Sequence, residues 1–313
     1  MKQVVTMDGV TLHMKKYKDI EKTPRSDKIF YGITYGLMLL ILMLVLYPLV
    51  YIVSASFSSP SAVAAGKVWL FPVEPSLDGY RAVFKYKDVF TGYRNTIFYT
   101  VAGTAINVSM TLIAAYPLSR RTLPGRGFFT FLFTFTMLFS GGMIPTYLLM
   151  RDLHLLNTVW VMLIPGAINI TNLIITRTYM QSSIPGELLE AAQIDGCSDF
   201  RYFFTILLPL SKANIAVITL YYAVGHWNAY FDAFLYLTNK KLFPLQVFLR
   251  EILVLSRIDP NTVTDPQTQA AIQGLSDLLK YSLIMVATVP ILCLYPFVQR
   301  YFEKGVMIGS LKG

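Results

Sequence analysis

Cysteine, histidine and charge are all scarce in this chain. Two cysteines among 313 residues cannot build a disulfide framework, and their positions have no metal-site spacing. Cys197 lies in a polar loop and Cys293 inside an apolar run, so they are not expected to bridge. No G-x-x-x-x-G-K-[ST] loop is present to cradle a nucleotide phosphate, and no H-E-x-x-H, Ser/His/Asp pattern or paired carboxylates within the apolar runs. The chain is therefore not expected to be an enzyme, to hold a metal or cofactor, or to hydrolyse a nucleotide itself. Charged residues make up only 14% of it, against about 25% in soluble domains. What remains is 54% hydrophobic, and so much apolar surface needs a solvent other than water. The class is an integral membrane protein.

A hydrocarbon core of about 30 Å asks for roughly 20 apolar residues per helix. Six runs qualify or come close: 29–57, 95–118, 127–150, 153–176, 213–236 and 281–298. Each is far longer than the 9–11 alternating residues of a membrane β-strand, so the expected fold is an all-α bundle of six transmembrane helices. Residues 1–28 form a polar segment ahead of residues 29–313, the transmembrane domain. The first run is too long for the h-region of a cleavable signal and is expected to remain as an anchor. Prolines inside or beside the runs, at 48, 117, 145, 165, 290 and 296, point to bent helices around a path.

Most of the 27 Lys and Arg fall in segments that share one side with the N-terminus. By the positive-inside rule that side is cytoplasmic, and both termini are inside. The net charge of +9 is then a topology signal and does not indicate nucleic-acid binding. Outside, residues 58–94 and the loop 237–280 are the long segments, and apolar residues at 249, 252, 253 and 255 predict a short amphipathic helix in the second.

The most polar inner loop reads ELLEAAQIDGCSDFRYFFTILLP from Glu187 to Pro209. Pro185 suits a first helical turn, and Glu187 and Glu190 lie where the helix dipole favours acids. A helix over 187–195 follows, with the acids on one face and Leu188, Ala191 and Ala192 on another. Gly196 is placed to supply the left-handed residue that ends it. A second helix, 198–207, is expected to stop at Pro209. Small alanines admit a close backbone, flanking acids can meet basic partners, and the glycine sets the angle between the two helices. The pattern predicts a docking peg.

Glu190-Ala191-Ala192, Gly196 beyond the intervening Gln-Ile-Asp, and Leu208-Pro209 resemble the EAA loop of binding-protein-dependent ABC importer permeases. The tail PFVQRYFEKGVMIGSLKG is similar to the smaller six-span subunit of maltose-type sugar importers. YYAVGHWNAYFDAFLYL and FPLQVFLREIL resemble the subgroup handling complex oligosaccharides, pectin- and alginate-type uronides included. The resemblance implies a type I ABC importer permease bundle in a bacterial cell membrane. Its loop 183–209 would couple to the ATPase through Glu187, Glu190, Ala191, Ala192, Asp195, Gly196, Leu208 and Pro209. It implies as partners a second homologous permease forming a heterodimer, two ATPase subunits carrying ATP and Mg, an extracellular solute-binding protein and an oligosaccharide.

Aromatic and polar residues crowd the fifth run. Tyr222, His226, Trp227, Asn228, Tyr230 and Asp232 are candidates for the substrate path, since sugars stack on aromatic faces and their hydroxyls need polar partners. Such a cluster more often packs helices or marks the membrane interface, and Asp232 is as readily an internal hydrogen-bonding group as a substrate contact. A permease of the same architecture for a non-sugar solute is one rival reading. A transporter working without ATP is another; it predicts no docking loop.

Overall fold

A computed structural model describes residues 5–7, 10–12, 25–85, 87–255, 279–293 and 296. Two compact units divide the chain, Met1–Val50 and Tyr51–Gly313. The first opens with a small antiparallel hairpin, β1 Val5–Met7 and β2 Val10–Leu12, pairing Val5 with Leu12 and Met7 with Val10. This hairpin is an addition to the expected all-α fold. Helix α1, Arg25–Ser56, follows, with its large apolar side chains from Ile29 to Leu49 exposed. At 1.5 Å per residue its apolar stretch is long enough to cross a bilayer.

In the second unit the chain leaves α1 through a bend pinned by serines. The Ser54 hydroxyl donates to the Leu70 carbonyl at 2.6 Å, and Ser58 accepts from the Val73 amide at 3.0 Å. Two short helices occupy this bend, α2 Pro60–Ala64 and α3 Asp78–Lys85. Helix α4, Lys87–Ser119, is the second element long and apolar enough to cross a membrane. The other helices of this unit that reach it in the packing are shorter or broken.

The expected span 127–150 is a pair of helices, α5 Arg126–Leu138 and α6 Met143–Asp152, bent by 112° at a break that contains Gly141-Gly142. Where one span over 153–176 is expected, the backbone turns at His154 and Asn157, which take left-handed φ values of 56° and 59°. A 3-10 turn, Val159–Met162, and an irregular stretch through Pro165 and Gly166 lead to α7, Ile170–Ser182. Side chains stitch this irregular backbone in place. The Asn157 carboxamide oxygen accepts from the amides of Thr238 and Asn239, and Asn107 donates to the Gly166 carbonyl at 2.9 Å. Non-helical backbone at such depth is tolerated where protein or a wet cavity satisfies its polar groups.

The chain continues through α8 Glu187–Ile194, α9 Asp199–Tyr202, a π turn Phe203–Leu207 and α10 Leu208–Leu210. It bends by 81° into α11, Lys212–Trp227, then α12, Phe231–Tyr236. The expected end at Pro209 shifts to Ser211. Proline lacks the N–H of a regular turn and its ring crowds the carbonyl four residues back. The widened turn, with the Leu208 amide bonded to the Phe203 carbonyl, carries the helix through the proline. The amphipathic helix predicted near 249–255 is α13, Leu245–Leu255, longer at its start. The last described helix is α14, Leu279–Cys293, shorter than the run 281–298 predicts within the described residues.

Packing centres on α4. Its positions 92, 95, 96 and 99 receive the segment entering α13: Gly92 leaves room for Leu245 and Phe248, Asn95 donates to the Lys241 and Phe243 carbonyls, Tyr99 donates to the Leu242 carbonyl, and the Leu245 amide donates to Thr96 at 2.9 Å. Farther along, Leu112, Ala115 and Leu118 form one core with Leu173 and Met180 of α7, Ile218 and Tyr222 of α11, and Ala192, Tyr202 and Leu207.

Candidate functional site

Two features stand out on this frame, a punctuated loop at one end of α4 and a polar cavity beside its middle. In the loop, α8 ends as the glycine predicts. Gly196 adopts φ +72°, the Cys197 amide donates to the Ala192 carbonyl at 2.8 Å, and the Gly196 amide donates to the Gln193 carbonyl at 3.0 Å. This pair of bonds is the Schellman arrangement, which satisfies carbonyls a helix would otherwise leave orphaned. Cys197 and Ala192 pack in the same core, adding the apolar contact that accompanies the motif. Ser198 caps α9, accepting from the Arg201 amide at 3.3 Å.

The two adjacent alanines part company. Ala192 is 7% exposed, packed into the core, whereas Ala191 faces out. Only Ala191 is therefore open to a partner's approach, because neighbouring helical positions lie about 100° apart. Glu187, Glu190 and Asp195 are exposed, and among the described residues none of the three forms an ion pair. Leu208 is half-buried and Pro209 is exposed. Sequence reasoning passed over the loop's apolar tip: Ile194 is 86% exposed and Phe200 75%. The signal was available, since a large apolar residue on each side of a polar helix end has no core to enter.

The loop is joined to α4 by an arginine between two rings. The Arg120 guanidinium carbon lies 4.5 Å from the Tyr116 ring centre and 4.9 Å from that of Tyr202. Its Nε and one terminal nitrogen are buried with no hydrogen-bond partner among the described residues, and the two ring faces meet the cation. The Tyr116 hydroxyl donates to Asp199 at 3.1 Å, and Arg177 and Gln181 of α7 donate to the Leu118 and Ser119 carbonyls. Helix α9 is thus in direct contact with the end of α4.

The cavity, about 650 Å³, is walled by α4, α7, α11 and the irregular backbone around Pro165 and Gly166. Of the six path candidates, Tyr222, His226 and Asp232 line it. Trp227 does not: it is buried and donates to the Ala287 carbonyl at 2.9 Å, tying α11 to α14. Asn228 donates to the Val224 carbonyl of its own helix at 3.0 Å, and Tyr230 is an exposed ring outside the lining. The face that reaches the cavity is the helical set 222, 225, 226 and 229, not the contiguous run 226–228.

Opposite that face, α4 carries a buried polar stripe at Thr96, Thr100, Thr104, Asn107 and Thr111. The spacing of four, four, three and four residues keeps it on one face. Thr111 hydrogen-bonds the Tyr222 hydroxyl at 2.7 Å, and that hydroxyl also accepts from the Asn169 amide at 3.0 Å. The Thr100 and Thr104 hydroxyls and the Asn107 oxygen are buried with no partner among the described residues. Averaged hydropathy conceals such a stripe inside an apolar run.

A bent, broken-helix bundle with a patterned loop and a polar cavity defines a membrane transport component, and the comparisons agree. Residues 89–308 match the family model described as binding-protein-dependent transport system inner membrane component, and the chain belongs to that family. It is 41% identical over 287 residues to the polygalacturonan/rhamnogalacturonan transport system permease protein YtcP of Bacillus subtilis (strain 168), covering 92% of this chain and 99% of that one. It is 43% identical over 266 residues to protein LplC of the same organism, covering 85% of this chain and 89% of that one. Among solved structures it resembles a chain of a bacterial ABC transporter involved in the import of the acidic polysaccharide alginate. The TM-score is 0.80 at 36% identity, over 89% of this chain and 98% of that one.

Proposed function

We propose that this chain is one of two different permease subunits of an ATP-driven importer of oligosaccharides, uronic-acid-containing glycans among them. The observation that carries the reading is the loop itself. Its Ala192 side is fixed in the core while Ala191, Ile194, Phe200 and the unpaired acids Glu187 and Glu190 face out, as a peg seated in another protein would. The seat is an ATPase subunit, one of two, each holding ATP and Mg. Closure of that dimer moves α8 and α9, and the Tyr116–Arg120–Tyr202 stack passes the movement to α4. The two permeases then open outward and take the glycan from an extracellular binding protein.

The glycan assignment is supported by the relatives named for polygalacturonan/rhamnogalacturonan transport and by the alginate importer. On this reading the chain crosses a bacterial cell membrane six times with both termini in the cytoplasm; among the described residues two helices and two bent pairs are long and apolar enough for four of those crossings. The test is ATP turnover by the whole complex reconstituted in lipid, with binding protein and a panel of glycans. Stimulation by oligogalacturonides or related oligosaccharides is expected. Stimulation by a non-sugar solute alone would overturn the glycan reading.

A further inference from the structure

The chemistry of the cavity wall narrows what it can read. Among the described residues lining it, none is Lys or Arg. Asp232 stands in the wall exposed, with no ion pair among the described residues. Deeper, Asn107 is 3% exposed, and its two ends differ. The nitrogen is engaged by Gly166, while the oxygen is buried with no partner among the described residues. A buried acceptor left unpaired is costly and calls for a donor brought by something else. A sugar hydroxyl supplies that donor; a carboxylate, which only accepts, cannot.

We propose that this cavity binds the neutral, hydroxyl-bearing face of a saccharide through Asn107 and holds carboxylates off through Asp232, so that an acidic glycan must find its countercharge on another chain. The inference rests on the oligosaccharide reading above. Its size, about 650 Å³, falls within the range of small-molecule sites, and its wall offers carboxamides and phenols in place of ammonium or guanidinium groups. Arginine is the residue that pairs carboxylates bidentately, and its absence from the lining is the complement of Asp232's presence.

The experiment compares two probes on one preparation: an oligogalacturonide and its methyl ester, which have the same ring hydroxyls and differ in charge. Substrate-stimulated ATP turnover by the reconstituted complex is read as the acid-to-ester ratio, in which a folding defect cancels. Asp232→Asn is expected to raise that ratio at least threefold, with the gain shrinking in high salt as screening sets in. Asn107→Asp, which keeps an acceptor and adds a charge, is expected to lower it at least threefold. Ratios unchanged in both variants, or lowered by Asp232→Asn, overturn the inference while leaving the importer intact. If wild type responds to neither probe nor to any other glycan of the panel, the oligosaccharide reading fails and this one with it.

Discussion

The imidazole of His226 lies edge-on against Gly103 of α4, so close that a Cβ at position 103 would stand 2.4 Å from both Cε1 and Nε2. The small residue lets α11 approach α4 and holds one wall of the cavity in place. Gly103→Ala should push the ring out, costing about 1–3 kcal/mol of stability as overpacking does. The check is a double-mutant cycle read by thermal unfolding of the purified protein. Combined with His226→Ala the loss should be clearly less than the sum of the two single losses. Additive losses would mean that the contact carries no energy.

The adjacent alanines make a second contrast. Ala192→Trp should prevent folding or insertion, because a bulky ring has no room beside Tyr202 and Leu207 in the packed core. Ala191→Trp should insert normally, since position 191 faces out, yet lose the ATPase on co-purification. Equal behaviour of the two variants would contradict the assigned faces.

Gly196 separates conformation from space. Nothing lies within 4 Å of a Cβ built there, so only the φ of +72° penalises a side chain. Gly196→Val should cost about 1–3 kcal/mol, and Gly196→Asn distinctly less, because Asn visits the left-handed region more readily. Thermal unfolding of the two variants side by side measures the difference.

Arg120 tests the link between loop and bundle. Arg120→Leu removes the cation between Tyr116 and Tyr202, and the ratio of substrate-stimulated to unstimulated ATP turnover should fall several-fold. Arg120→Lys should recover part of it, since an ammonium still attracts a ring face but cannot lie flat between two. A ratio unchanged in the leucine variant would show that the stack is packing alone.

Much of the loop could be read from the chain because its determinants are local. Glu187, Glu190 and Gly196 act on the backbone within a few residues, and α8 forms and ends where they direct. The cavity was harder to read because its determinants are distant. Run 153–176 is apolar enough for a span, yet it is broken where Asn107 of α4 holds the Gly166 carbonyl and where Asn157, within the run, accepts from the amides of Thr238 and Asn239. Hydropathy counts those asparagines as minor interruptions. Clustering of aromatic and polar residues along the chain favours Trp227, Asn228 and Tyr230, whereas the helix turns Tyr222, Gly225 and His226 to the cavity. The coupling role proposed for the loop residues is not written in either pattern; it depends on the surface that meets them.

That surface can be asked for directly. A photo-crosslinking residue in place of Ile194, the most exposed apolar side chain of the loop, should join this chain to the ATPase subunit when the whole complex is irradiated in membranes. The same residue at Ile218, buried in the core, should not. A crosslink from position 194 to the ATPase that changes in yield when ATP is bound is the result the account predicts. No crosslink to the ATPase, or one only to the extracellular binding protein, would contradict it.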